Sequence, residues 1–192
     1  MSDRMKVTGI VLAGGLGRRM GGMDKGLMPL HGKPMIAHVI ERLAPQVDEL
    51  LVNANRNPEN YASLGYRVIP DTMPGYAGPL AGLQTGLAEA RNELVATVPC
   101  DSPFLPADLV ARLQASLQAH DADLAVARTF DQPHPVFCLC RHTLLPHLTA
   151  FLDQGGRKID AWYATLKVIE VPFDDEAEAF MNINTWQELQ GA

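Results

Sequence analysis

The 192-residue chain is short of several things, and each shortage closes off a class of protein. Its three cysteines, Cys100, Cys138 and Cys140, are too sparse and odd in number for a disulfide framework, and they fit a reducing compartment. No apolar run approaches membrane-spanning length. The run at 10–13 is too short for a secretory signal and leads straight into glycines, so the expected setting is cytoplasmic, with no membrane role. Net charge is −6, yet no block of like charge occurs, and nothing in the composition supports binding to nucleic acid. The six histidines form no metal-ligand pattern; only His134, between Pro133 and Pro135, stands out.

Two familiar phosphate loops are also missing. A Walker A motif needs glycine, four residues, then Gly-Lys-Ser/Thr. The Gly-Lys pair here, Gly32 and Lys33, is followed by Pro34, with Leu27 where the first glycine belongs. The dinucleotide fingerprint needs Gly-x-Gly-x-x-Gly opening into a helix. Here Gly15 and Gly17 are followed by Met20, and the next helical pattern waits until Pro34, beyond the breaker-rich "GLMPLHGKP". Repeats, low-complexity tracts and linkers are absent as well. Residues 1–192 read as one domain, 47% hydrophobic and 20% charged, with enough chain for a sizeable core.

What is present alternates. Short runs rich in Val, Ile and Leu at 7–12, 49–53, 67–69, 94–98, 122–127, 136–139 and 168–171 read as strands buried on both faces. Between them, 34–43 opens on a proline suited to a first helical turn, and 80–91 follows a Gly-Pro turn. In 107–117, Leu109, Leu113 and Leu117 form one apolar stripe. Alternating strands and helices predict an α/β sandwich with a mainly parallel sheet. The stretch after about residue 130 is less regular. Cys138 and Cys140, two apart in a strand pattern, point the same way and suit core packing; Cys100 also reads as structural.

Leu12, Asn53, Asp71 and Asp101 each fall at or just beyond the carboxyl end of a predicted strand, which is where open α/β sheets bind ligands. The first of these ends runs into "VLAGGLGRRMGGMDKGL". A glycine-rich turn lets backbone N–H groups converge on an anion, and Arg18, Arg19 and Lys25 concentrate positive charge there. A flexible loop with solvated basic residues is the plainer reading of such a stretch. Asp101 in "VPCDSPF" suits Mg2+, which takes one or two carboxylates plus substrate phosphates; capping or turn formation is its alternative.

These residues resemble a known family. "LAGG" (Leu12, Ala13, Gly14, Gly15) followed by "RRMGGMDKG" is similar to the signature of nucleotidyltransferases, which join a nucleoside monophosphate to a phosphorylated acceptor. With "VNAN", "IPD", "GPLAGL", "PCDSPF" and "NINT", the resemblance extends along nearly the whole chain and is closest to the molybdenum cofactor guanylyltransferases. It implies a three-layer α/β sandwich with a mainly parallel, Rossmann-like sheet of the nucleotidyltransferase type. It also implies Mg2+-dependent transfer of GMP from GTP to the terminal phosphate of molybdenum-molybdopterin. The N-terminal part would bind nucleotide and the C-terminal part the acceptor.

The resemblance assigns Lys25, Arg19 and Asp101 to catalysis, with Asp101 the metal ligand. It assigns the "LAGG" residues, Asn53, Asp71, Gly78 and Gly82 to the nucleotide, the two glycines letting backbone lie close to the base. Asn182 and Asn184, two apart on one side of an extended segment, are assigned to the pterin-bearing acceptor, and Thr185 also suits capping of a helix at 186–190. Arg157 and Lys158, after Gly155 and Gly156, are either acceptor-phosphate contacts or exposed charges. Arg18 reads as solvated. Implied partners extend to molybdenum-insertion proteins and to apo-molybdoenzymes or their chaperones. Three alternatives stay open: a cytidylyl- or sugar-1-phosphate nucleotidyltransferase, a non-catalytic module that carries nucleotide or cofactor, and, more distantly, a nicotinamide oxidoreductase. "LAGG" rather than the "LAAG" of cytidylyl relatives favours guanine.

Overall fold

The structure, a computed structural model, describes residues 4–15, 22–75, 78–184, 188 and 191. Its strands are β1 (Val7–Leu12), β2 (Pro29–Leu30), β3 (Lys33–Pro34), β4 (Glu49–Asn53), β5 (Arg67–Ile69), β6 (Leu94–Pro99), β7 (Leu124–Thr129), β8 (Gln132–Arg141) and β9 (Val168–Pro172). Its α-helices are α1 (Met35–Leu43), α2 (Pro58–Ala62), α3 (Pro79–Glu89), α4 (Leu109–Ala119), α5 (Leu145–Asp153) and α6 (Ile159–Tyr163). Seven strands form one sheet in the order β5-β4-β1-β6-β8-β7-β9. All neighbours pair in parallel except at β8, which runs antiparallel to both β6 and β7. The mainly parallel sheet expected from the alternation is therefore observed.

Side-chain alternation fills both faces. In β1, Val7 and Val11 pack with Ile36, Val39, Leu43 and Tyr61 on one side, while Ile10 packs with Leu80, Leu83 and Leu87 on the other. Helices α1, α2 and α4 thus cover one face, and α3, α5 and α6 cover the opposite one. Cys138 and Cys140 point together into the second face, and burial pushes both thiols up. The chain winds from β1 through β4 to β5, then α3 carries it back past β1 to β6. Strand order reverses between β1 and β6, which opens a crevice at their carboxyl ends.

Predicted boundaries move where local chemistry overrides the pattern. Helix α1 begins at Met35 because Pro34 is still extended, paired in the β2–β3 hairpin; His31 and Gly32 form its turn with positive φ. The breaker-rich stretch before Pro34 is thus the hairpin itself. Helix α4 starts at Leu109, two residues later than predicted. Strand β8 is far longer than the predicted 136–139. Pro133 lies where β8 extends beyond its pairing with β6, which spans Cys138 to Arg141, so its missing N–H removes no bond on that side. The irregular part of the sequence also hid α5 and α6.

Candidate active site

Backbone hydrogen bonds level the four strand ends. Ala13 N donates to Asn53 O (2.8 Å), Ala54 N to Ile69 O (3.0 Å) and Cys100 N to Leu12 O (3.1 Å). The residues that follow β1, β4, β5 and β6 therefore share one rim, as their sequence positions predicted.

On one side of this rim, amides surround a carboxylate. Asn53, 2% exposed, donates its Nδ2 to Asp71 Oδ1 (2.8 Å) and Ile69 O (3.2 Å). Asn55 donates Nδ2 to Asp71 Oδ2 (2.9 Å) and accepts the Asp71 N–H (2.7 Å). Both Asp71 oxygens and its backbone N–H are thus fixed by two neighbours on the β4 side. Gly82 lets α3 lie against this network: a Cβ there would press on Asn53 Oδ1 and come 2.7 Å from Leu12 Cδ2. Within the chain, the close approach that Gly82 permits is to Asn53 and Leu12. Gly14 stands equally near, since its Cβ would lie 2.9 Å from Asn55 Nδ2. Gly78 is glycine for another reason: it enters α3 with φ +81° in open space, a backbone state that side chains disfavour. Gly15 is exposed.

On the other side the groups are charged. Lys25 Nζ donates to Asn184 Oδ1 (2.6 Å) and lies 3.4 Å from Asp101 Oδ2. Asp101 is 9% exposed; burial pushes its carboxyl up, and the Lys25 ammonium works against that push. Ser102 donates its hydroxyl to Asn182 Oδ1, which leaves the Asn182 NH2 group to face other partners. Ile183 explains how the distant C-terminal segment arrives here. Its N–H bonds Asp101 O (2.8 Å), and its side chain packs with Met28, Leu30 and Met35 of the hairpin and α1. An aromatic stack supports the approach: His134 lies against Phe180 with ring centres 4.8 Å apart. Burial lowers the His134 pKa.

Two further expected site residues, Arg157 and Lys158, lie in the connection between α5 and α6. Arg157 Nη1 bonds the carbonyls of Leu152 (2.7 Å) and Gly156 (2.6 Å), closing the end of α5, and Lys158 precedes α6. No hydrogen bond among the described residues joins either to Lys25 or Asp101. Arg18, Arg19, Thr185 and the predicted helix at 186–190, apart from Glu188, lie outside the described residues. Cys100 sits in the core with its thiol pushed up, mainly by burial, which disqualifies it as a nucleophile. Among the described residues no three His, Cys, Asp or Glu side chains are grouped to hold a metal by themselves. The rim thus offers a fixed polar network beside an ammonium and a buried carboxylate, chemistry suited to binding a phosphorylated ligand.

A model of the MobA-like NTP transferase domain matches residues 9–167. The chain belongs to this family. It is 53% identical over 195 residues to a molybdenum cofactor guanylyltransferase of Cupriavidus necator, covering 99% of this chain and 98% of that one. It is 52% identical over 194 residues to the protein of that name in Bordetella petrii, with the same coverage. Among solved structures, molybdopterin-guanine dinucleotide biosynthesis protein A from Archaeoglobus fulgidus superposes with a TM-score of 0.81 at 26% identity, covering 96% of this chain and 95% of that one.

At this rim of the MobA-like chain, sequence reasoning passed over three residues. Asn55 carried a usable signal, its two-residue spacing from Asn53 in "VNAN". Ser102 follows Asp101 directly but matters only because Asn182 arrives beside it. Glu188 accepts the Asn184 N–H (2.6 Å), and its charge adds to the upward push on Asp101; no motif announced it.

Proposed function

We propose that the chain transfers GMP from GTP to the terminal phosphate of molybdenum-molybdopterin, forming the guanine dinucleotide cofactor and releasing pyrophosphate. The observation that carries this reading is the meeting of Lys25, Asp101 and Asn184, from three distant parts of the chain, at the rim that also holds the Asn53–Asp71 network. The acceptor phosphate oxygen forms a bond to the α-phosphorus while the bond to the β-phosphate oxygen breaks, and pyrophosphate leaves. That nucleophile is already ionised near neutral pH, so the protein's work is positioning and charge stabilisation.

The Asn53–Asn55–Asp71 network shapes the nucleoside end. Lys25 places a compact positive charge where phosphate charge develops. Asn182, with its carbonyl oxygen bonded to Ser102, turns its amide donors to the acceptor. Arg19 would be a further cation for the triphosphate or the acceptor phosphate, and Arg157 and Lys158 would add positive charge for the acceptor phosphate.

The donor set also fits Mg2+. Asp101 and Glu188 are hard oxygen ligands, and a buried carboxylate whose pKa is raised gains from a cation beside it. Asp101 would hold the ion together with substrate phosphate oxygens. When bound it neutralises charge on those oxygens. The substrates are therefore GTP and the molybdopterin cofactor. Protein partners would be those that insert molybdenum or receive the finished cofactor, in a cytoplasmic setting.

A panel of nucleoside triphosphates mixed with molybdopterin and Mg2+, scored by product mass and pyrophosphate release, tests the reading. The guanine dinucleotide with GTP alone is expected. A cytidylyl product, or binding without pyrophosphate release, would overturn it.

A further inference from the structure

Lys25 is gripped from behind by residues that follow β4. The short turn Lys25–Leu27 is closed by Leu27 N bonding Asp24 O and Met28 N bonding Lys25 O, both at 3.1 Å. Two such bonds do not fix where the lysine stem starts. The connection after β4 does. Arg56 Nη2 donates to Gly22 O (2.8 Å), Asn57 Nδ2 to Asp24 Oδ2 (3.1 Å), and the Tyr61 hydroxyl to Asp24 Oδ1. Tyr61 is 0% exposed. Burial pushes its phenol up, so the hydroxyl stays protonated and remains a donor. The same hydroxyl meets the other flank of Lys25, because a Cβ on Gly26 would lie 2.7 Å from it and 3.4 Å from Cys100 Cβ.

We propose that Tyr61 and Asn57 form a clamp on Asp24 that positions the Lys25 ammonium for the transfer step. Tyr61 is the principal positioning residue and Gly26 the space that lets it close. Asp24 is held by two uncharged donors, so it does not compete for the adjacent ammonium, which reaches across to Asp101 and Asn184. A lysine stem has four rotatable bonds, and fixing its root on both flanks removes much of the freedom that would blur the position of the charge. This inference rests on the reading of Lys25 as the cation that stabilises the transferred phosphate.

The test uses Tyr61→Phe, which removes one oxygen, and Asn57→Gly, which removes the second donor while suiting the left-handed backbone at that position (φ +48°). Turnover should fall roughly tenfold in Tyr61→Phe and about threefold in Asn57→Gly, with KM for GTP within about twofold of wild type. In a Lys25→Ala background, Tyr61→Phe should cost no more than about twofold, because the residue it acts through is gone. The rate at which a small acylating reagent modifies Lys25, followed by peptide mass, should rise severalfold in both single variants.

Wild-type turnover and wild-type Lys25 reactivity in both variants would overturn the clamp. So would a Tyr61→Phe loss undiminished in the Lys25→Ala background. Should Tyr61→Phe fail to fold, Asn57→Gly decides by the same two measurements. The reactivity arm needs no turnover: a wrong functional reading leaves wild type without dinucleotide product while Lys25 still responds to the variants.

Discussion

Asp71 and Asp101 both follow parallel strands at the same rim, yet their surroundings are opposite. Asp71 is enclosed by two neutral amides, one on each carboxylate oxygen, and the Asn55 amide also accepts its N–H. Asp101 faces one ammonium, and burial, with a small addition from Glu188, pushes its pKa up. A carboxylate with both oxygens held by hydrogen bonds is a rigid shaping element. A buried one with incomplete compensation is poised to take a cation. One side of the rim is therefore built to hold still, and the other to meet changing charge.

The sharpest way to break this contrast is Asp101→Asn. Turnover should fall by several kcal/mol of transition-state stabilisation, on the order of 10³-fold, in assays across a range of Mg2+ concentrations. Full activity at limiting Mg2+ would move Asp101 out of the charged side. Lys25→Ala should cost about 10²–10³-fold in turnover, in line with the loss of one transition-state donor. If only KM for GTP rises while saturated turnover holds, Lys25 binds the ground and transition states alike.

Smaller effects sharpen the boundary between the sides. Asn182→Asp keeps an oxygen for the Ser102 hydroxyl but loses the amide donor. Acceptor binding should weaken by roughly 1–3 kcal/mol in calorimetric titration, with GTP binding and Tm nearly unchanged. A matching loss of GTP affinity would mean that the acceptor segment supports the whole rim, a real risk given the Lys25–Asn184 bond. Asn55→Ala frees one Asp71 oxygen and should weaken GTP binding by about 1 kcal/mol with little change in turnover at saturation.

The least effect is on stability. Because the folded pKa of Asp101 is raised, its protonation favours the native state at low pH. That contribution is lost as pH climbs from the ordinary value of 3.8 through the raised one. Asparagine does not titrate, so the Tm of Asp101→Asn relative to wild type should improve with rising pH over that interval and then level. A difference that narrows with pH would reverse the sign assigned to Asp101.

The sequence by itself determined the sheet and the rim. Short runs rich in Val, Ile and Leu, fit for burial on both faces, mark β1, β4, β5 and β6 from their residues alone. A polar residue at each strand's end must then emerge at one edge, because parallel strands share a direction. Local patterns also carried the Asn53–Asp71 side, whose partners lie within 18 residues of one another. What the tertiary structure decided is everything joined across long stretches of chain. Lys25 meets Asn184 across 159 residues, Ser102 meets Asn182 across 80, and Tyr61 reaches back 37 residues to Asp24. No periodicity encodes such contacts. They exist because Ile183 finds an apolar seat on the hairpin and because α2 packs beneath the lysine turn, and both depend on the shape of the finished core. Arg157 adds a local example: its Nη1 meets the open carbonyls at the end of α5, a contact that its position after two glycines did not announce.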